Sequence, residues 1–373
     1  KVAKFLQDIC HREDPTRPVT QGMDAPDAVV NNNMAAVMDV AGFNYRPFRY
    51  QVNYQKLPQG IILGSETAST VSSRGVYKFP VERKAMAVYE DHQSSSYDVE
   101  HCNWSNLPED DFIQHEDLPY CIGEFVWTGF DYLGEPTPYY TNWPSHSSLF
   151  GIIDLAGIPK DRYYLYRSHW NKSAKTLHIL PHWTWPGREG EVTPVFVYTN
   201  YPAAELFING KSYGKQSKNN SSLKSRYRLM WMDAIYEPGE VKVVAYDKDG
   251  KAVAEKSVRT AGKPHHIELV SNRNELTADG KDLAYVTVKV VDKDGNLCPA
   301  DSRLINFSVK GAGKYRAGAN GDPTSLDLFH LPKMHAFNGM LTAIVQTNET
   351  AGEIILTAKT GGVKAGSIRL LTK

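Results

Sequence analysis

Three things are scarce in this 373-residue chain. Long apolar runs are missing: no segment approaches the roughly 20 residues a membrane-spanning helix needs, and no membrane span is expected. Charge of one sign is not in excess, with 42 Lys plus Arg against 42 Asp plus Glu. That balance gives no long-range pull on nucleic acid or on an anionic membrane. Cysteine is sparse. Cys10, Cys102, Cys121 and Cys298 are too few and too scattered for a disulfide scaffold or a zinc site. What the chain does have is aromatic residues, including 7 Trp and 21 Tyr. Such side chains fill cores or line clefts for sugars and similar ligands. An ordinary 23% of charged residues and 41% of hydrophobic ones describe a folded chain with ample surface to bury in two or three domains.

The chain opens without Met, directly on a helical pattern. Val2, Phe5, Leu6 and Ile9 recur on one face of Lys1–His11. No entry turn or cap precedes it, so the expectation is a piece of a longer protein. Up to about residue 175, strand patterns alternate with helical ones. The strand candidates are Arg17–Gly22, Val37–Tyr45, Gly60–Ala68 and one within Pro119–Glu135, and a last helix covers Lys160–Trp170. Ile61, Ile62 and Leu63 form the continuous apolar run of a parallel strand covered on both faces. Alternation of this kind predicts right-handed βα units, and four units make half of a parallel β/α barrel. In such a barrel the site lies at the C-terminal strand ends, where this sequence places Asn44 with Tyr45, Glu66, Trp127 and Asp131.

After about Leu177 the period changes to two. Asn209-Gly210 and Asp249-Gly250 are strong hairpin signals. A hinge at Thr260–His266 separates two sets of strands, each of about 90 to 110 residues, the size of an immunoglobulin-like sandwich. The expected architecture is thus α/β plus all-β: a partial (β/α)8 TIM barrel over 1–175, then immunoglobulin-like β-sandwiches over 176–263 and 264–373.

Several local patterns carry no chemistry. Gly210-Lys211-Ser212-Tyr213-Gly214 fits a serine-hydrolase elbow, but that motif needs a strand-to-helix turn and here it follows a hairpin signal. Asp247-Lys248-Asp249-Gly250 begins like a calcium loop, yet positions six and twelve are Ala252 and Val258. His178 and His182 have helical ligand spacing with Pro181 between them, which breaks a helix. The His182–Trp185 strip reads as interface packing sooner than as a sugar platform. No metal and no cofactor are expected.

Glu66 stands apart. A carboxylate at the end of a buried parallel strand is costly unless it is solvated, hydrogen-bonded or functional, although such acids also cap helices. Tyr45 on the neighbouring strand is placed to hydrogen-bond it and keep it ionised. Trp127 is placed to form a platform for a sugar ring.

The strings "DPTRPVTQG", "DVAGFNY", "ILGSETA", "FVWTGFDYLGEP" and "GIIDLAGIPKDRYY" resemble the catalytic barrel of glycoside hydrolase family 2, most closely its Bacteroidetes-type β-galactosidases. "AELFINGKSYGKQ" and the segments after Gly318 resemble the modules that follow that barrel. The resemblance covers essentially the whole chain. It implies strands five to eight of the barrel, with Glu66 as the nucleophile and Tyr45 positioning it. It also implies that Asn44, Trp127, Asp131 and Glu135 bind the sugar. The family's acid/base Glu follows an Asn on strand four; Asn274-Glu275 and Asn348-Glu349 fall in the β-sandwich region, so that residue is expected upstream of Lys1. The implied activity is retaining hydrolysis of terminal neutral β-glycosides, β-D-galactosides first, by a periplasmic or secreted enzyme. Its partners would be an oligo- or polysaccharide substrate, the missing half of the same protein and a possible second copy. The isolated chain is expected to be inactive. The family's glucuronidases use an Asn-x-Lys clamp, and Lys160 lacks the Asn. The rival reading is a non-catalytic carbohydrate-binding or surface protein of β-sandwiches with a decayed barrel.

Overall fold

The computed structural model describes residues 1–373. Strands dominate and helices are few. Near the N-terminus, strands Thr20–Met23, Val40–Asn44, Ile62–Thr67 and Cys121–Val126 form one four-stranded sheet in chain order, parallel throughout. Helix Val2–Glu13 precedes it, and helices Pro108–Asp117 and Asp161–Trp170 flank its last strand in sequence. One face of the sheet buries Met23, Ala41, Phe43, Ile62 and Cys121 against Val30, Ala35, Tyr50 and Leu57. Close strand approach depends on Gly42: a Cβ there would lie 2.5 Å from Thr20 Oγ1 and 2.6 Å from the Gln21 carbonyl.

Both edge strands lack a partner on their outer side. The first leaves Thr20, Gln21 and Gly22 exposed, and the last exposes Ile122 and Phe125. Val2, Phe5 and Leu6 of the first helix are also exposed.

The rest of the chain is antiparallel sheet. A three-stranded sheet (Leu177–Leu180, Val195–Thr199, Leu229–Trp231) and a four-stranded one (Ala203–Ile208, Lys211–Ser217, Glu240–Tyr246, Ala252–Arg259) enclose a core of Val195, Val197, Leu206, Trp231 and Val243. A further pair of sheets, of four and five strands, encloses an 18-residue core. Its strand Leu283–Val291 buries Ala284, Val286, Val288 and Val290 at alternate positions, as one buried face requires, and also Val291 at its end. The Asn209-Gly210 hairpin forms, with both residues at positive φ, so Gly210-Lys211-Ser212-Tyr213-Gly214 lies in an antiparallel ribbon and not at an elbow. In the Asp247–Gly250 turn, Asp247 accepts from the Asp249 and Lys251 amides.

The second sandwich is tied to the parallel-sheet region by buried polar contacts. Arg74 Nε donates to Asp154 Oδ2 at 2.6 Å, and Arg74 Nη2 reaches the Asn320 carbonyl at 2.7 Å. The Asn338 amide returns to the Arg74 carbonyl at 2.7 Å. The His182–Trp185 strip packs internally: Trp183 is buried, and Trp185 stacks on His182 and meets Tyr77 and Phe79 edge-on.

Candidate active site at the parallel strand ends

A bulge builds the centre of the site. Phe43 pairs with Gly64, but the next residue, Asn44, pairs with Glu66, so Ser65 is the extra residue. A bulge of this kind re-aims the side chain that follows it. Beyond Asn44 the chain turns through Tyr45 and Arg46, both left-handed (φ 55° and 53°), and the Tyr45 amide donates to the Glu66 carbonyl at 2.6 Å. Such a conformation is uncommon for a bulky residue and persists where its surroundings hold it.

That turn lays the buried Tyr45 phenol on Glu66, with Tyr45 Oη donating to Oε1. Ser69 Oγ donates to the same phenol oxygen at 2.8 Å, and Trp104 lies near it. Burial first, then the hydrogen bond to Glu66, push the Tyr45 phenol far above the ordinary tyrosine value, so it stays a donor. The second carboxylate oxygen is held loosely, by Asn44 Nδ2 at 3.4 Å. Asn44 is itself oriented by Ser65 Oγ, 2.9 Å from its Oδ1. One oxygen of Glu66 is therefore anchored and the other is available for chemistry.

Trp127 starts from the next strand end, where its amide donates to the Thr67 carbonyl at 2.7 Å. Its ring meets Tyr132 edge-on at 6.0 Å. Tyr132 donates to Glu135 Oε2, and burial, that bond and the nearby Glu66 charge all raise its phenol. Glu135 thus joins the group through Tyr132. Behind the strand ends, Thr67 Oγ1 donates at 2.8 Å to Glu124, whose carboxyl burial pushes up to about 7.

Asp131 is a correction. Sequence alone makes it a sugar-hydroxyl acceptor, but its carboxylate is buried and already satisfied. Oδ2 meets Lys160 Nζ at 2.6 Å, and Oδ1 accepts from the Gly151 amide at 2.7 Å. Burial raises its carboxyl to about 6, and the Lys160 ammonium opposes that rise. A buried cation needs such a partner, and Lys160 spends its remaining donors on the Ser72 and Leu149 carbonyls. The pair props the loop carrying Tyr132 and does not present itself to a ligand. Sequence reasoning misses Trp104, Ser69 and Tyr132, because nothing local marks them; only the fold carries them to Tyr45 and Trp127.

Residues 267–369 match the family described as Glycoside hydrolase family 2 C-terminal domain 5, and 190–254 match a domain of unknown function. Beta-galactosidase BoGH2A of Bacteroides ovatus is 40% identical over 99% of this chain and 43% of its own length. A putative beta-glucuronidase of Formosa agariphila is 34% identical over 56% of this chain and 20% of its own. The crystal structure of a beta-glycosidase from Bacteroides vulgatus superposes with a TM-score of 0.85 and 29% identity, over 99% of this chain and 49% of that one. The chain spans less than half the length of each of these relatives.

Proposed function

The chain belongs to glycoside hydrolase family 2, and from that membership and the geometry around Glu66 we propose that it carries the nucleophile half of a retaining exo-β-glycosidase. In this reading the four-stranded parallel sheet is the second half of an eight-stranded barrel, residues 1–175. The modules at 176–263 and 264–373 are immunoglobulin-like sandwiches that brace it. The enzyme works in the periplasm or outside the cell.

The observation that carries the reading is the asymmetric setting of Glu66: Tyr45 grips Oε1 while Oε2 faces only a 3.4 Å contact. Attack by Oε2 on the anomeric carbon gives a covalent glycosyl-enzyme. Retaining hydrolysis also needs a carboxyl roughly 5 to 5.5 Å away to protonate the leaving oxygen and then to activate water. We assign that carboxyl to the portion of the relatives that this chain does not span. Asn44 and Trp127 hold the sugar, and Glu135, steadied by Tyr132, accepts from its hydroxyls.

The substrate we favour is a neutral sugar, a β-D-galactoside. Lys160 is the cation that a uronate carboxylate would seek in this loop, and it is consumed by Asp131 and two carbonyls. In the polypeptide that contains this chain together with the rest of its barrel, Glu66→Gln lowers kcat on β-galactosides by about four orders of magnitude or more, with the circular dichroism spectrum unchanged. A variant that keeps wild-type turnover refutes the assignment.

A further inference from the structure

The backbone ladder lapses on both sides of Glu66. Toward strand Val40–Asn44, Ser65 is the extra residue. Toward strand Cys121–Val126, Gly64 pairs with Glu124 and the next pair is Thr67 with Val126, so the register slips across Ser65 and Glu66. A bulge leaves its extra residue unpaired and weakens the ladder's hold on the chain around it. Other hydrogen bonds fix this stretch. Two are made by the backbone: the Tyr45 amide donates to the Glu66 carbonyl at 2.6 Å, and the Trp127 amide to the Thr67 carbonyl at 2.7 Å. A third comes from a side chain, Thr67 Oγ1, which donates to Glu124 Oε2 at 2.8 Å and stands 3.5 Å from the Phe125 carbonyl. Thr67 is fully buried on the face that meets helix Pro108–Asp117. Gly64 makes room there: a Cβ on it would lie 2.8 Å from Thr67 Cγ2 and 3.2 Å from both Glu124 Cβ and His115 Nε2.

Glu124 has no other polar partner. It forms no ion pair, and the Thr67 hydroxyl is its one hydrogen-bond donor. The nearby Asp111 is an acceptor like itself: its Oδ2 takes the Asn106 amide at 2.6 Å and its Oδ1 is unpartnered. His115 has neither ring nitrogen bonded, and burial pulls its imidazole down to about 4, which keeps it neutral. The arginines that reach this helix are taken, Arg228 by Glu109, Arg83 by Asp110, and Arg226 by Glu116 and Asp117. Burial without a cation raises both carboxyls, Glu124 to about 7 and Asp111 well above the ordinary aspartate value. A buried acceptor with a single donor holds that donor firmly, because losing it leaves the acceptor unsatisfied. For stability alone an apolar side chain would serve better at this place. What the carboxyl contributes is a fixed position for Thr67, the residue next to Glu66.

We propose that Thr67 and Glu124 are positioning residues for the nucleophile: their hydrogen bond, made behind the sheet, sets the strand end that carries Glu66. The proposal rests on the assignment of Glu66 as nucleophile. Neither residue touches the sugar. They act on where Glu66 Oε2 stands relative to the anomeric carbon, and a displacement of about 1 Å there costs about a hundredfold in rate.

The test separates kcat from KM in the polypeptide that completes the barrel, with an aryl β-D-galactoside as substrate. Thr67→Val keeps the shape of the side chain and removes the hydroxyl; it lowers kcat about thirtyfold and leaves KM within about threefold, because Asn44 and Trp127 stand on other strands. Thr67→Ser restores the donor and brings kcat back to within about threefold of the wild type. Glu124→Gln keeps an oxygen for the Thr67 hydroxyl and loses less than about fivefold, whereas Glu124→Met loses as much as Thr67→Val. Thr67→Val/Glu124→Met is no slower than either single variant. Removing both partners leaves no unsatisfied polar atom of this pair, so the double variant keeps the fold even where a single one does not. A kcat within about twofold of the wild type in Thr67→Val or in the double variant, or a loss confined to KM, overturns the positioning role. Losses that multiply in the double variant, or Thr67→Ser as slow as Thr67→Val, overturn the hydrogen bond as the cause. In each of these cases an inactive Glu66→Gln leaves the nucleophile standing, while full activity in Glu66→Gln overturns the reading beneath.

Discussion

The parallel sheet and the second sandwich face the same packing problem and solve it differently. The sandwich closes on itself: two sheets bury 18 residues, and strands such as Leu283–Val291 alternate between core and solvent. The parallel sheet buries a cluster of 9, and its two outer edges, with Ile122 and Phe125 exposed, lie where the proposed barrel would continue. It also departs from regular geometry where it ends. Tyr45, Arg46 and Ala68 are left-handed there, and the register shifts at Ser65. Departures of that kind persist only when neighbouring structure holds them, and they gather at sites that do chemistry. The contrast teaches that the sandwich is arranged for stability, while the sheet gives up regularity to aim Glu66.

Changes on either side of that contrast have separable consequences. The largest effect falls on the joint between the regions. Arg74→Ala leaves Asp154 buried without its cation, and breaking such a pair costs about 3–5 kcal/mol. Denaturant unfolding will show that loss, and kcat/KM falls with it, because Asp154 lies in the loop that leads to Lys160. Leu356→Ala, fully buried in the sandwich, costs about 3 kcal/mol, while its kcat stays within about twofold of the wild type. A large kcat loss there would erase the distinction between the regions.

The smallest effect is pH-dependent. Burial pulls the His182 imidazole down to about 4. A neutral histidine favoured by folding contributes stability that is fully present above the unfolded value near 6.5 and is lost as pH falls toward 4. Between about pH 7 and 4.5 the wild type therefore loses roughly 2 kcal/mol relative to His182→Gln. Parallel stability curves for the two proteins would show that His182 does not titrate in this way.

The same contrast explains what can be read from sequence. Ile61, Ile62 and Leu63 announce a parallel strand, and the structure places a strand at Ile62–Thr67. The alternation of Ala284, Val286, Val288 and Val290 is plain in "AYVTVKVV", because a sandwich writes its fold locally. The surroundings of Glu66 are legible only as far as its neighbours in the sheet, Asn44 and Tyr45. Asp131 is misread because its partner, Lys160, stands far along the chain and reaches it only through tertiary folding. Trp104 lies within 68–107, a stretch with almost no regular structure whose path is set by buried hydroxyl and carboxyl contacts. No periodicity marks such a path.

The central claim is that Glu66 bonds covalently to a sugar, and chemical trapping tests it most directly. A 2-deoxy-2-fluoro-β-galactosyl fluoride slows both steps, while its fluoride leaving group lets the first proceed, so the glycosyl-enzyme accumulates. Mass spectrometry of the digested, barrel-complete enzyme should place one fluorosugar on the peptide that contains Glu66, with activity lost in step. A sugar attached to any other residue, or turnover blocked with Glu66 unlabelled, would contradict the account.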